Sequence, residues 1–160
     1  MRFLYQTVKE VLASGRIGSP VFVRCLAQIA SDRVHLQDAL AEVLATASAW
    51  LGAHPQQVYA QGGEDAGHIT AAVHYVSGQT ALVSMSATKT DGPPRVDLML
   101  LGNKGAIYHD SLLLPLFAMP TTRLISQSEQ LSSTKALMDA VERSLQTGKS
   151  AIIEGGKSDE

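Results

Sequence analysis

The sequence predicts a single α+β domain with an open, mostly antiparallel β-sheet of about six strands and helices packed on one face. Near both ends and in 36–51, apolar residues recur at helical spacing. From Gln57 onward they occur instead in short runs of strand type, separated by turns. Strands gathered in one run favour an antiparallel sheet over a doubly wound parallel one.

Length and composition indicate one domain with a substantial core. The chain has 160 residues, 45% of them hydrophobic, and we place the domain at 1–154 and a polar tail at 155–160. The formal charge is −2, without the basic stripe of a nucleic-acid-binding protein. No window approaches the ~18 apolar residues of a membrane span. From the charge and the apolar windows we expect no nucleic-acid partner and no membrane partner. Because Cys25 is the only cysteine, we also expect no disulfide framework and a cytoplasmic protein.

Three helices follow from apolar stripes and from the residues that end them. The first covers 3–14 and ends at Gly15. The clearest covers 36–51 and ends at Gly52, and its predicted core stripe is Leu36, Leu40, Val43, Leu44, Ala47, Trp50 and Leu51. The last begins at Ser132 or Ser133 and ends at Gly148.

The strands are predicted from runs rich in β-branched and other apolar residues. They are Val21–Ile29, Gln57–Gln61, His68–Val76, Gln79–Lys89, Arg95–Leu101, Ala106–His109 and Thr121–Ser126. Both alternating faces of the hairpin around Ser77-Gly78 look apolar, whereas a sheet with one wet face alternates more cleanly. We therefore expect helices on one face and a protein partner on the other, in a homodimer or a heteromer.

Asp38 and Glu42 are the most informative polar pair. Spaced i and i+4, they share the face of the 36–51 helix opposite its apolar stripe, together with alanines and Ser48. This face is either a solvated acidic surface near a helix N-terminus or a small-residue surface that binds a ligand or a partner. The five histidines, His35, His54, His68, His74 and His109, do not have the spacing of metal ligands, and we predict no metal site.

Five segments, taken in order, resemble the C-terminal domain of Gfo/Idh/MocA-type oxidoreductases over nearly the whole chain. They are Val8–Pro20 (VKEVLASGRIGSP), Trp50-Leu51-Gly52, the Ser77-Gly78 turn, Leu101–Ile107 (LGNKGAI) and Ala140–Lys149 (AVERSLQTGK).

The resemblance implies that a Rossmann half would carry NAD(P) and a catalytic lysine. The C-terminal half would supply an open sheet for subunit contacts and a helix with an Asp-x-Gly-x-His pattern facing the nicotinamide. Counting back from Gly52, the Asp position falls on Asp38, the Gly position on Leu40 and the His position on Glu42. If this helix is aligned with the family pattern in another register, His35 takes the histidine role. The expectation is therefore a stand-alone C-terminal domain that lacks the Rossmann half.

No Gly-x-Gly-x-x-Gly occurs, so we expect no NAD(P) site and no autonomous dehydrogenase. The expected function is a non-catalytic binding or oligomerisation module that pairs with itself or with a full-length oxidoreductase. The alternative is a small-ligand binder or cofactor-independent enzyme for a sugar-like or keto ligand. The candidate residues of its groove are Asp38, Glu42, His35 and His74. A planar ligand such as haem is a variant, held by His35, His68, His74 or His109.

Overall fold

The computed structural model describes residues 2–30, 33–62, 66–88, 95–111 and 128–154, except for the side chains of 2–3, 30, 33–35 and 128–133. Within these ranges the helices are α1 (Arg2–Ala13), α2 (Arg33–Leu51) and α3 (Ser128–Thr147). The strands there are β1 (Pro20–Ala30), β2 (Pro55–Gln61), β3 (His68–Tyr75), β4 (Thr80–Thr88), β5 (Arg95–Gly102), β6 (Ala106–Asp110) and β7 (Ala151–Ile152). The predicted strand Thr121–Ser126 and the tail 155–160 lie outside the described residues.

The strands of the described ranges form one sheet in the order β6-β5-β1-β4-β3-β2-β7. All neighbouring strands are antiparallel except β1 and β4. The chain leaves β1 through α2 and returns through the meander β2-β3-β4, and this long connection is what a parallel pair needs. The α+β class and the mostly antiparallel sheet are confirmed, whereas the parallel pair was not predicted.

Element bounds differ from the sequence prediction at a few places. Helix α3 begins at Ser128 rather than at Ser132 or Ser133, and β3 ends at Tyr75, so that Val76 lies in the following turn. Strand β7 was missed because two residues are too short to show a period. It pairs with β2 through Gln57 and Val58.

The core lies between the helices and one face of the sheet. All seven residues of the predicted α2 stripe are buried, so that prediction is confirmed. They pack with the alternate residues of the strands, which are Val23, Cys25, Ala27, Val58, Ala60, Ile69, Ala71, Val73, Tyr75, Ala81, Val83, Met85, Val96, Leu98 and Leu100. Burying one large aliphatic side chain contributes about 1.5–3 kcal/mol. Helix α2 lies over β4 and β1, and α3 lies over β2.

The loop between α1 and β1 is bound to the turn between β5 and β6. The amides of Asn103 and Lys104 donate to the carbonyls of Ser19 and Ile17, each at 3.0 Å. The Ser19 amide in turn donates to Asn103 Oδ1, also at 3.0 Å. At Gly102 the two backbones lie so close that a Cβ would collide with the Ile17 carbonyl. This contact, which we call the glycine clasp, holds one end of β1 to β5.

Ser144 joins α3 to the outer edge of β2. Its buried hydroxyl accepts from the Ala60 amide at 2.8 Å and donates to the Lys149 carbonyl at 2.7 Å. The Ser144 hydroxyl therefore forms hydrogen bonds with backbone groups next to the short strand β7. Without it, this part of the outer edge of β2 would be unpaired. Of the helices described, none has the length and apolarity needed to cross a membrane.

Candidate functional site on the open face of the sheet

One face of the sheet points away from the core, and we call it the open face. The strand registers align its side chains in rows, one of which is Tyr59, Ala72, Leu82, Arg24, Met99 and Tyr108. Every side chain of this row is half-buried or exposed, whereas the alternate residues of β1 to β5 are buried against the helices. The open face is therefore the broad surface that the described helices do not cover.

The part of the open face on β1, β5 and β6 is apolar. It consists of Phe22, Leu26, Met99, Leu101 and Tyr108, and we call it the apolar patch. Leu26 is 37% exposed and Tyr108 is 57% exposed. Phe22, Met99, Leu101 and Tyr108 are neighbours across these strands, whereas Leu26 lies opposite Asp97 and next to Arg24. An exposed apolar surface of this kind is typical of a protein interaction site.

The part of the open face on β3 and β4 is richer in hydroxyl groups. The hydroxyls of Thr70 and Ser84 are 2.8 Å apart, and Thr80 Oγ1 lies 3.3 Å from His74 Nδ1. The expectation that both faces of this hairpin are apolar was therefore wrong for the open face, where Ala72 and Leu82 are the apolar members. The prediction was wrong because small residues occupy the positions of β3 and β4 that alternate with the buried residues, and a pattern of small residues resembles an apolar face.

An ion pair lies beside the apolar patch. Arg24 Nη2 donates to Asp97 Oδ1 at 2.9 Å and to Oδ2 at 3.2 Å, and the two side chains are 32% and 29% exposed. Arg24 Nε is buried and has no hydrogen-bond partner among the described residues. Arg24 and Asp97 are diagonal neighbours on the paired strands β1 and β5, because the residue directly opposite Arg24 is Met99 and the residue directly opposite Asp97 is Leu26.

Sequence reasoning missed this ion pair, although a signal was present. Arg24 lies between Val23 and Cys25 in an apolar run, and Asp97 lies between Val96 and Leu98. A charged residue inside a predicted strand of a two-faced sheet points to the face opposite the core. The signal identifies each residue separately, but only the β1–β5 register brings them together.

The predicted groove residues do not form one site. Asp38 and Glu42 are exposed on α2, as predicted, whereas His74 is exposed on the open face, so that the sheet lies between them. His35 belongs to α2, but its side chain lies outside the described residues. Ser48 was placed on the acidic face, yet its hydroxyl lies 2.9 Å from the Tyr75 hydroxyl. Ser48 therefore faces the sheet.

The other histidines are far apart. His68 and His74 lie at opposite ends of β3, about 20 Å apart along an extended strand, so they cannot be the two axial ligands of one haem within a chain. His109 lies on the helix side of β6, opposite Leu98. Its Nε2 atom is buried without a hydrogen-bond partner in the described part of the chain. In the same ranges, no three His, Cys, Asp or Glu side chains are grouped as metal ligands.

Two buried groups have a raised pKa. Burial raises the pKa of the Cys25 thiol to about 12, and the negative charge of Asp97 acts in the same direction. Burial also raises the pKa of Tyr75 to about 12, although its hydrogen bond with Ser48 acts in the opposite direction. Neither group ionises near neutral pH, and a buried, protonated thiol is not a nucleophile. Cys25 is therefore part of the core.

No protein-family model and no curated protein matches this sequence, but solved structures match the fold. A probable dehydrogenase from Thermotoga maritima aligns with a TM-score of 0.73 and 15% identity over 94% of this chain and 62% of its own. The WlbA dehydrogenase from Bordetella pertussis, in complex with NADH and UDP-GlcNAcA, aligns with a TM-score of 0.70 and 15% identity over 96% and 60%. A myo-inositol dehydrogenase from Corynebacterium glutamicum aligns with a TM-score of 0.69 and 12% identity over 95% and 62%.

The chain has the fold of one part of these dehydrogenases. It spans about 60% of the length of each. The resemblance to Gfo/Idh/MocA-type oxidoreductases is thereby confirmed for the fold. Sequence identities of 12–15% carry no information on substrate or activity. A functional argument for this chain must therefore start from its own surfaces.

Proposed function

We propose that this chain is a non-catalytic oligomerisation module that binds a protein partner through the open face of its sheet. The observation that carries the proposal is the apolar patch beside the Arg24–Asp97 ion pair. Leu26 is 37% exposed there and Tyr108 is 57% exposed, and burying such side chains drives most protein association. The proposed role requires no NAD(P), haem or metal, and the free Cys25 thiol suits the cytoplasm.

The open face is large enough for a stable interface. Six strands, β6 to β2 in the sheet order, cross it. At about 4.8 Å between strands and about 3.3 Å per residue, its projected area is roughly 750 Å². Side chains make the accessible area larger than this projection. The face is thus comparable with the roughly 800 Å² that each partner buries in a standard interface.

The α2 helix supports the non-catalytic part of the proposal. The resemblance aligns Glu42 with the histidine position of the family helix and Asp38 with the aspartate position. Glu42 is therefore a carboxylate at a position where the family pattern has an imidazole, and imidazole is the side chain that most often transfers protons in catalysis.

Replacing Leu26 tests the proposal. Leu26→Asp places a charge at the edge of the apolar patch, next to the ion pair, where the side chain is already exposed. We therefore expect the domain to stay folded but to associate at least roughly 100-fold more weakly. Sedimentation velocity over a range of concentrations measures the association, and circular dichroism measures the fold.

Val76→Asp is the matched control, since Val76 is an exposed apolar residue in the β3–β4 turn rather than on the open face. It should associate like the wild type. Association of the Leu26 variant at wild-type strength would contradict the proposal. So would a wild-type chain that stays monomeric at all concentrations and binds no full-length oxidoreductase of the same fold.

The acidic face of α2 gives a prediction of the opposite kind. The double variant Asp38→Asn/Glu42→Gln should change the free energy of unfolding by about 0.5 kcal/mol or less, because both side chains are exposed. Its association should also be unchanged. Thermal unfolding and sedimentation of the double variant measure both quantities. The alternative, a ligand site on this face, requires instead that the variant lose affinity for a sugar-like or keto ligand.

A further inference from the structure

We infer that the outer edge of β6 pairs with the same edge of a second copy of this chain, so that one continuous sheet runs through two domains. This contact uses the backbone at the rim of the sheet and not its open face. It therefore goes beyond the proposed function and forms whether or not the open face is covered. The hydrogen-bond pattern, the exposure and the charges of one strand carry it.

The two edges of the sheet differ. At the β7 edge the strand has only two residues. Beside it, Arg143 Nη2 donates to the Ile152 carbonyl at 2.9 Å, and the Ser144 hydroxyl accepts from the Ala60 amide. At the other edge, β6 has five residues without lysine or proline, and no described strand lies beyond it. Very short edge strands, lysine and proline are devices that keep an edge from pairing. Of the two edges described, the β6 edge lacks them.

The hydrogen bonds at the ends of the β5–β6 pair show which backbone groups point outward. At the turn, the Gly102 amide donates to the Gly105 carbonyl at 2.8 Å, and the register runs on from this pair without a shift. In an antiparallel pair, hydrogen-bonded and non-hydrogen-bonded residues alternate. The amides and carbonyls of Ala106 and Tyr108 therefore point away from β5, and the bond donated by the Ser111 amide at the far end fits the same alternation. Both Ala106 and Tyr108 are exposed.

These outward groups restrict the register in which two copies pair. Outward-pointing residues must lie opposite one another to form hydrogen bonds. With Ile107 on a two-fold axis, Ala106 of each copy lies opposite the partner's Tyr108, and the two residues exchange both of their backbone bonds. An axis at Ala106 would instead require outward groups of Lys104, whose amide already donates to the Ile17 carbonyl at 3.0 Å.

The charges favour the axis at Ile107 over an axis at Tyr108. With Ile107 on the axis, Lys104 in the turn before β6 comes opposite the partner's Asp110 at the end of β6, and the symmetry makes this pair twice. Opposite charges that face each other across strands stabilise the pairing. With Tyr108 on the axis, each Asp110 would face the partner's Ala106, and Lys104 would lie beyond the end of the partner's β6.

The side chains of β6 fit the same arrangement. Ile107 is half-buried on the helix side and packs against the core, so the two Ile107 side chains would join the two cores across the axis. On the other side of the strand, Tyr108 is 57% exposed and would lie beside the partner's Ala106, whose methyl group leaves room for the ring. The axis is perpendicular to the sheet, so both open faces stay uncovered on the same side.

Cysteine cross-linking tests the register. In the inferred pairing the two Ile107 Cα atoms are about 4.5 Å apart, which is within the range of a disulfide. The two Tyr108 Cα atoms are offset along the strands and lie about 8 Å apart, beyond that range. Ile107→Cys should therefore form a disulfide-linked dimer on mild oxidation with copper phenanthroline, seen by non-reducing gel electrophoresis.

Tyr108→Cys is the matched control and should stay monomeric on the same gel, as should the wild type, whose Cys25 is buried. A dimer of Tyr108→Cys without one of Ile107→Cys would overturn the inferred register. No dimer of either variant, or equal yields of both, would overturn the contact itself, because equal yields are the result of random collisions.

A proline at the edge tests the backbone pairing. Ala106→Pro removes an outward amide and no hydrogen bond to β5, and proline is tolerated at an edge position whose N–H faces solvent. On a Leu26→Asp background, which blocks the open face, it should weaken self-association roughly 100-fold in sedimentation velocity. Ala106→Ser keeps the amide and should leave association unchanged on that background. Equal association of the two variants would contradict the edge pairing. If circular dichroism shows the proline variant unfolded, the cross-linking result decides.

The outcomes separate this contact from the proposed function. A chain with both Leu26→Asp and Ile107→Cys should still cross-link, since Leu26 is not at the β6 edge. If it does and Leu26→Asp alone associates like the wild type, the proposed function fails and the edge contact stands. If Leu26→Asp weakens association and Ile107→Cys does not cross-link in either background, the edge contact is wrong and the proposed function stands.

Discussion

Val83→Asp should unfold the domain or bring it close to unfolding. Val83 is fully buried on the helix side of β4, and the new carboxyl would lie among apolar side chains. Losing the burial of the valine costs about 1.5–3 kcal/mol, and a buried carboxyl without partners costs about 1–3 kcal/mol more. Together these approach the 5–15 kcal/mol that holds a typical domain folded. Urea unfolding followed by circular dichroism measures the loss.

Leu82→Asp is the matched control, one residue earlier on the same strand. Leu82 lies on the open face and is half-buried, and its neighbour across the parallel pair is Arg24. A carboxylate there reaches water and a positive charge, so the domain should stay folded. If the two variants were equally stable, the assignment of Val83 to the core face and of Leu82 to the open face of β4 would be wrong.

In the β3–β4 hairpin, the face on which a residue lies decides what a charged substitution does, and Val73 is equivalent to Val83. Both valines are fully buried against the helices, so unfolding is the expected result. The variant that reports on association lies instead on the open face of β1, at Leu26.

The helices and most strands could be predicted because their signals are local. The α2 stripe from Leu36 to Leu51 repeats at helical spacing for several turns, and Gly52, with a φ of 61°, ends it. Strand pairing is not local. The parallel contact between β1 and β4 depends on where the β2-β3-β4 meander returns, and no spacing within either strand encodes it.

The candidate site was predicted less well, for a related reason. The exposure of Asp38 and Glu42 follows from helical geometry alone, and the structure agrees with it. The ion pair of the open face joins residues 73 positions apart, so the register of two strands decides it. His74 was grouped with Asp38 because a sequence does not reveal which side of a sheet a helix covers.

Gly102→Ala should strongly destabilise the domain through the glycine clasp. A Cβ at this position would collide with the Ile17 carbonyl, which already accepts the Lys104 amide at 3.0 Å. Backbone cannot move aside as a flexible side chain can. The loop must therefore shift and lose its hydrogen bonds, at a cost of roughly 3 kcal/mol in the free energy of unfolding. Urea unfolding measures this change.

Gly105→Ala, in the same turn, is the control for Gly102→Ala. A Cβ at Gly105 would lie 3.5 Å from the Arg16 carbonyl and 3.5 Å from Ile17 Cγ2, which are ordinary contact distances. Its free energy of unfolding should therefore change by about 0.5 kcal/mol or less. Similar midpoints for the two alanine variants would show that the close approach at Gly102 does not limit stability. A selective loss for Gly102→Ala would instead show that the close contact between the α1–β1 loop and the β5–β6 turn stabilises the domain.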